Sequence, residues 1–285
     1  MSHISTASGR RIFYDESGTG PPLLLIPGHG GYRRGCLIWL AEALAPRFRV
    51  VAMDNRDAGE SEPETEYYEL GDMAMDAAAL LAALGIDRAH ILAHSMGSAI
   101  VLQLALDHPT RVDRLVLLSP AVGGEPEHRA GEPLPAPAAW WVDDPVERAR
   151  RVLPAVVGLN YRSRMSEADV AAIAALERGN RTTWAGMMRR EAAAAGDEHI
   201  LSRLAEIRGP TLVIHGDADV PVPLAQGQAL AAGIPGARLI VLPGVGHRPW
   251  VECPEPTIGA ILPFLSETRA AEAFSGSESL RRRPR

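Results

Sequence analysis

Short apolar runs separated by glycine, proline and small polar residues recur along the chain: Leu23-Leu24-Leu25-Ile26, Val50-Val51-Ala52-Met53, Ala89-His90-Ile91-Leu92, Leu115-Val116-Leu117-Leu118, Thr211-Leu212-Val213-Ile214-His215 and Arg238-Leu239-Ile240-Val241-Leu242. Runs of this length, apolar on both alternating faces, predict strands buried on both sides, which is the signature of a parallel sheet. After Leu92 the period changes to that of a helix, with Ala99, Ile100, Leu102, Gln103 and Leu106 on one face. A hairpin is predicted through Arg10-Arg11-Ile12-Phe13-Tyr14. Strands alternating with helices predict an α/β fold with a mostly parallel central sheet flanked by helices.

The alternation runs from residue 1 to about 120 and returns over 206–267. Between them, over 121–205, the character differs. Ala121 to Pro137 is rich in glycine and proline and resists regular structure. Helical segments follow, one opening at Ser166 with Ser166-x-x-Asp169, similar to a capping box, and closing at Gly179, another over Arg181 to Ala195. Residues 268–285, ending Arg281-Arg282-Arg283-Pro284-Arg285, carry few apolar side chains and read as a disordered tail.

Chemistry enters at Ala93-His94-Ser95-Met96-Gly97, where a predicted strand turns directly into a predicted helix. A serine at such an apex, flanked two residues away by small residues, exposes its hydroxyl over a helix N-terminus whose N–H groups favour developing negative charge. A hydroxyl is a weak nucleophile and needs a base that is itself oriented by an acid. Both are offered at later strand ends. Gly216-Asp217-Ala218-Asp219 follows one apolar run, and Pro243-Gly244-Val245-Gly246-His247 follows the next. We assign Ser95 as nucleophile, Asp219 as acid and His247 as base, in the order that hydrolases of this type use.

With these motifs the chain resembles an α/β-hydrolase-fold serine hydrolase, from about Ile12 to Leu265. Two further motifs carry the resemblance: Leu23 to Gly31, similar to the family's strand ending in His-Gly, and Asp54-Asn55-Arg56-Asp57-Ala58-Gly59-Glu60-Ser61, similar to its Asp-x-Arg-Gly-x-Gly-x-Ser loop. The family's Gly-x-x-Asp pattern favours Asp219 over Asp217, although some members carry the acid after the sixth strand, where Glu125 lies here. Pro27 stands where the His-Gly pair has histidine. Asp57 stands where the arginine is usually followed by glycine, a feature similar to methylesterases acting on polyketide-derived antibiotics. The resemblance implies an oxyanion hole from the N–H groups of Met96 and His29, or of Gly30 if the register shifts by one. It also implies that 121–205 is a helical cap, in which Trp140, Trp141, Trp184, Met187 and Met188, with Tyr161, are the residues to line a substrate pocket.

At 285 residues with 46% hydrophobic composition the chain can build one large α/β domain with an insertion. A net charge of −6 argues against nucleic acid bound through a broad basic surface. The two cysteines, Cys36 and Cys253, form no disulfide framework and no recognised metal spacing, so neither metal nor cofactor is implied. With no signal-like N-terminus and no apolar run near the roughly 20 residues needed to span a bilayer, the expected place is the cytoplasm and the expected partner a small-molecule substrate. Arg33 and Arg34, just past the oxyanion loop, read as solvated surface residues, with greeting a carboxylate-bearing substrate as the other role open to them. Ester or lactone hydrolysis through an acyl-enzyme is the expected reaction. The alternatives are hydrolysis of a carbon–carbon bond in a β-diketone-type substrate, and a non-hydrolytic binding protein or cyclase using the same pocket.

Overall fold

The six apolar runs are the parallel core of one sheet. The computed structural model describes residues 2–6, 9–35, 37–122, 142, 144–176, 180–195 and 197–267. Strands β1 (Ser2–Ser5) and β2 (Arg11–Ser17) pair antiparallel, with Ser2 opposite Tyr14 and Ser5 opposite Arg11. There follow β3 (Pro22–Ile26), α1 (Ile38–Leu44), β4 (Arg49–Met53), α2 (Leu70–Ala83), β5 (Ala89–His94), α3 (Gly97–Asp107) and β6 (Val112–Leu118). Among the described residues there come next the α-helices α4 (Pro145–Val156), α5 (Leu159–Arg162), α6 (Glu167–Leu176), α7 (Trp184–Ala195) and α8 (Glu198–Arg203). The chain then re-enters the sheet through β7 (Thr211–Gly216), α9 (Leu224–Gly233), β8 (Arg238–Leu242), α10 (Pro249–Glu252) and α11 (Pro254–Ser266).

Among the described residues the sheet has eight strands in the order β1-β2-β4-β3-β5-β6-β7-β8. From β4 to β8 every neighbouring pair is parallel, while β2 meets β4 antiparallel. The chain leaves β3 toward β4 on one side and returns to place β5 on the other. Sheets of this type open a crevice at the carboxyl ends of the strands flanking such a switch, here Ile26 and its partner Ala93.

Alternate residues of each strand feed two apolar layers. Leu24 and Ile26 pack with residues of α2, α3 and α9, whereas Leu23 and Leu25 pack with Leu40 and Leu44 of α1 and Ile261, Phe264 and Leu265 of α11. Helix α2 is opened by a reciprocal cap in which the Glu69 side chain and the Asp72 side chain each take the other's backbone N–H.

The helices between β6 and β7 hold a small core of their own, Ala149, Leu153, Val170, Ile173 and Ala174. Asp144 caps α4 by accepting the Glu147 N–H at 2.7 Å, with Pro145 at the first helical position. Ser166 and Asp169 form the reciprocal cap of α6, the Ser166 N–H donating to Asp169 Oδ2 at 2.7 Å and the Asp169 N–H to Ser166 Oγ at 3.3 Å. The expected closure at Gly179 lies outside the described residues. Helix α7 begins at Trp184 and not at Arg181 because the preceding backbone is otherwise engaged. The Arg181 N–H donates to Gly59 O at 3.1 Å, Thr182 Oγ1 accepts the Gly59 N–H at 3.3 Å, and Thr183 Oγ1 caps the helix through the Gly186 N–H at 3.1 Å.

Arg33 corrects the expectation of a solvated surface. It is 1% exposed, and its guanidinium is ringed by Asp15, Asp54 and Glu60. Arg34 stays half-exposed and pairs with Asp15. No helix among the described residues is long and apolar enough to cross a membrane.

Because Leu153 sits at the centre of the insertion's own cluster, Leu153→Ala should destabilise that unit by about 2–5 kcal/mol. Thermal denaturation reads the loss, and limited proteolysis locates it. New cuts are expected between 144 and 203, and cuts inside the sheet would show that the insertion is not a separate packing unit.

Candidate active site

Ser95 sits between β5 and α3 with φ 53°, a left-handed conformation that costs a non-glycine residue about 1–3 kcal/mol and persists only where surroundings enforce it. They do so by close approach. A Cβ on Gly97 would lie 2.7 Å from Ile26 O, and one on Gly28 would lie 2.7 Å from Ser95 Cβ. The two glycines therefore let the loop after β3, the serine and the start of α3 share one small volume. The Ser95 N–H is fixed by Leu118 O at 3.0 Å, and its own carbonyl accepts the Ser98 N–H at 2.8 Å. Met96 is the N-cap of α3, where the backbone N–H has no partner within the helix. Asn55 holds the facing loop from the other side, its Nδ2 donating to Pro27 O at 2.9 Å.

The three assigned residues meet. Ser95 Oγ lies 3.0 Å from His247 Nε2, and His247 Nδ1 lies 2.8 Å from Asp219 Oδ2. All three are buried at the bottom of the crevice, Ser95 at 8% and His247 at 6% exposure. A carboxylate only accepts, so Nδ1 carries the proton and Nε2 is free to accept the serine hydroxyl. Asp217 instead accepts the Gly244 N–H at 2.6 Å and shapes the histidine loop from outside. Glu125 lies outside the described residues.

Asp219 is held as an anion by more than His247. Its Oδ1 accepts the Val222 N–H at 2.9 Å, and His215 Nε2 stands 3.3 Å from Oδ2 while donating to Val222 O at 2.9 Å. Burial alone would raise this carboxyl, but the facing imidazoles of His247 and His215 and their hydrogen bonds hold it well below the usual carboxylate range. His94 moves the other way. Burial, with the His247 ring beside it, pushes its imidazole well below the usual histidine range. It is neutral, donates from Nε2 to His247 O at 3.0 Å, and lies between the rings of His247 and Trp250, tilted to the first at 4.7 Å and edge-to-face with the second at 4.6 Å.

The histidine loop has a second anchor, buried Glu252. Its carboxylate takes the N–H groups of Gly246, Arg248 and, from the insertion, Gly158 at 2.8 Å. The His247 N–H itself donates to Val156 O at 2.8 Å, at the end of α4.

Of the predicted pocket residues, Met187 is buried on α7, its Sδ 4.0 Å from where a Gly30 Cβ would be, against the loop after β3. Trp184 and Met188 are half-buried on the same helix, and half-buried Tyr161 lies on α5. His29 projects from that loop with Nε2 4.0 Å from Glu191 Oε2. Trp140 and Trp141 lie outside the described residues. Among the described residues no group of three or more His, Cys, Asp or Glu side chains could hold a metal.

Over residues 21–252 the chain matches the family model described as alpha/beta hydrolase fold. It belongs to this family. The hydrolase is 30% identical over 280 residues to a 2-hydroxymuconate semialdehyde hydrolase of Pseudomonas sp. (strain CF600), 93% of this chain and 94% of that one. A solved hydrolase from Pseudomonas aeruginosa PA01 matches with a TM-score of 0.78 at 30% identity, covering 93% of this chain and 98% of that one. The enol-lactonase from Burkholderia xenovorans LB400 matches with a TM-score of 0.80 at 26% identity, covering 93% and 100%. The sequence reading left His94, His215 and Glu252 without roles. The signals for the last two were spacing alone, four residues before the acid and five after the histidine.

A carboxyl whose folded-state value lies below its unfolded one adds stability above the usual carboxylate range and loses it as the pH falls through that range. Wild type should therefore exceed Asp219→Asn in stability most strongly above about pH 5, with the gap closing toward about pH 2. Urea denaturation across that range tests this. A gap independent of pH would show that Asp219 is not held as an anion.

Proposed function

We propose that this hydrolase cleaves a carboxylic ester or lactone of a small hydrophobic substrate through an acyl-enzyme. The observation that carries the reading is the unbroken chain Asp219 Oδ2, His247 Nδ1, His247 Nε2, Ser95 Oγ, with contacts of 2.8 and 3.0 Å. As Oγ attacks the carbonyl carbon, its proton passes to Nε2, and Asp219 stabilises the resulting imidazolium. The N–H groups of Met96 and His29 receive the oxyanion, donors of a kind worth on the order of 100-fold in turnover each. The C–O bond then breaks and Nε2–H returns the proton to the departing alkoxide. Water, activated by the same nitrogen, hydrolyses the acyl-enzyme and restores Ser95.

In this reading the insertion acts as a cap, and Trp140, Trp141, Trp184, Met187 and Met188 supply apolar surface to the substrate. Similarity to the enol-lactonase supports acyl transfer to water. The second reading, carbon–carbon hydrolysis, draws support from the 30% identity to the 2-hydroxymuconate semialdehyde hydrolase. Both use the same serine.

A fluorophosphonate probe should label wild type, and Ser95→Ala should abolish the labelling. Asp219→Asn should lower turnover of p-nitrophenyl esters by a factor on the order of 10⁴ through loss of the correct imidazole tautomer, while Asp217→Asn should cost little. Labelling at another residue, or an active Ser95→Ala variant, refutes the assignment. Greater kcat/KM on a β-diketone-type substrate than on every ester and lactone tested favours the second reading.

A further inference from the structure

Arg190, on the buried side of α7, is an unusual charge among the described residues. It is 0% exposed, and Nε, Nη1 and Nη2 all lack a hydrogen-bond partner. A guanidinium offers five N–H donors and stays protonated in proteins, so burying one without an acceptor carries a large desolvation penalty. The other buried arginines of the described residues show how that penalty is ordinarily met. Arg33 is ringed by Asp15, Asp54 and Glu60, Arg56 is gripped by both oxygens of Asp76 at 2.7 and 2.9 Å, and Arg114 is bonded to Glu267.

The groups whose fields reach Arg190 are Tyr68, Asp57 and Asp54. The buried Tyr68 hydroxyl makes no hydrogen bond to it, and both acids are already engaged. Asp57 takes Arg189 through Nε at 2.9 Å and Nη2 at 2.8 Å, and also the Glu64 N–H at 2.8 Å. Asp54 takes the Arg33 side chain and the backbone N–H groups of Arg33 and Glu60. Two adjacent arginines on one helix thus have opposite fates. Arg189 docks α7 on the loop after β4, and Arg190 is left over.

Its position relates it to the chemistry. Met187, one turn earlier on the same helix, packs on Gly30 of the oxyanion loop, and the field of Arg190 reaches His29 in that loop. Arg190 thus lies on the helix that meets the loop after β3, the loop that faces Ser95. We infer that Arg190 is an anion anchor, and that the ester or lactone cleaved by Ser95 carries a carboxylate on a short chain from the scissile carbonyl. This rests on the ester-hydrolase reading above. A carboxylate matches the planar fork with two parallel hydrogen bonds, and in this dry surrounding the pair is worth far more than at a surface. It replaces the role that the sequence left open for Arg33 and Arg34, whose guanidinium groups are occupied by Asp15.

The test compares two p-nitrophenyl esters of equal length, mono-p-nitrophenyl glutarate and its neutral methyl ester, on wild type, Arg190→Gln and Arg190→Met. Wild type should prefer the anionic ester. Arg190→Gln should lower kcat/KM for it by on the order of 10–100-fold, mostly through KM, and change the neutral ester by no more than about threefold. Because an unpaired buried cation opposes folding, Arg190→Met should melt at or above the wild-type temperature. A lower melting point for both variants with equal losses on both esters would make Arg190 a structural residue and overturn the anchor. A wild-type preference for the neutral ester overturns it as well. Calorimetric titration of monomethyl glutarate into Ser95→Ala, and into Ser95→Ala with Arg190→Gln, reads the anchor without turnover. Binding to the first and not the second supports the site even if no ester is cleaved, in which case the ester reading alone fails, and binding to neither refutes the site.

Discussion

Everything at the site depends on how closely three backbone segments meet at Ser95. The loop after β3, the apex itself and the first turn of α3 come within contact distance only because Gly28 and Gly97 have no side chain, and Ser95 accepts a φ of 53° to fit between them. The strain is of the order of 1–3 kcal/mol. It is offset by the elements on either side, since β5 is buried at every residue and α3 contributes Ile100, Val101, Leu102 and Leu104 to the core at full burial. The Ser95 hydroxyl is held by this constraint, and the backbone of Met96 at the start of α3 is part of it.

The insertion is held by a different kind of force. Its own core is small, and its links to the sheet are mainly polar: Gly59 with Arg181 and Thr182, Asp57 with Arg189, Glu252 with Gly158, and Val156 O with the His247 N–H. These links fall on the loop after β4 and on the histidine loop. His247 is thereby positioned partly by the helices of the insertion. The end of α4 is joined directly to His247 by the hydrogen bond to Val156 O, whereas α7 is joined to the loop after β4 through Asp57.

The central sheet was legible in the sequence because β3 to β7 are short runs buried on both faces, and the cluster of Ser95, Asp219 and His247 because its members follow three apolar runs in a fixed chain order. Strand ends lie near in space whenever the strands are near neighbours, so local pattern was enough to bring Ser95, Asp219 and His247 together. The boundary of α7 was misread by three residues because docking contacts to Gly59 from far along the chain took over the backbone of Arg181 and Thr182. Arg33 was misread for the same reason. Arg33 and Arg34 have the same composition and are neighbours in sequence, yet one is buried among Asp15, Asp54 and Glu60, and nothing local announces which.

The contrast between Arg189 and Arg190 carries that point to its end. Helix geometry turns neighbouring side chains through about 100°, so one reaches Asp57 and the other cannot share it. The Asp57 carboxylate is what ties α7 down. By consuming Arg189 it fixes the helix that carries Arg190 into the dry interior without supplying a partner for it. Elsewhere in the described structure buried arginines meet carboxylates, and local and global preferences agree. A buried arginine without a carboxylate breaks the rule that the others keep, at a cost in stability, and such breaks are where function is to be sought.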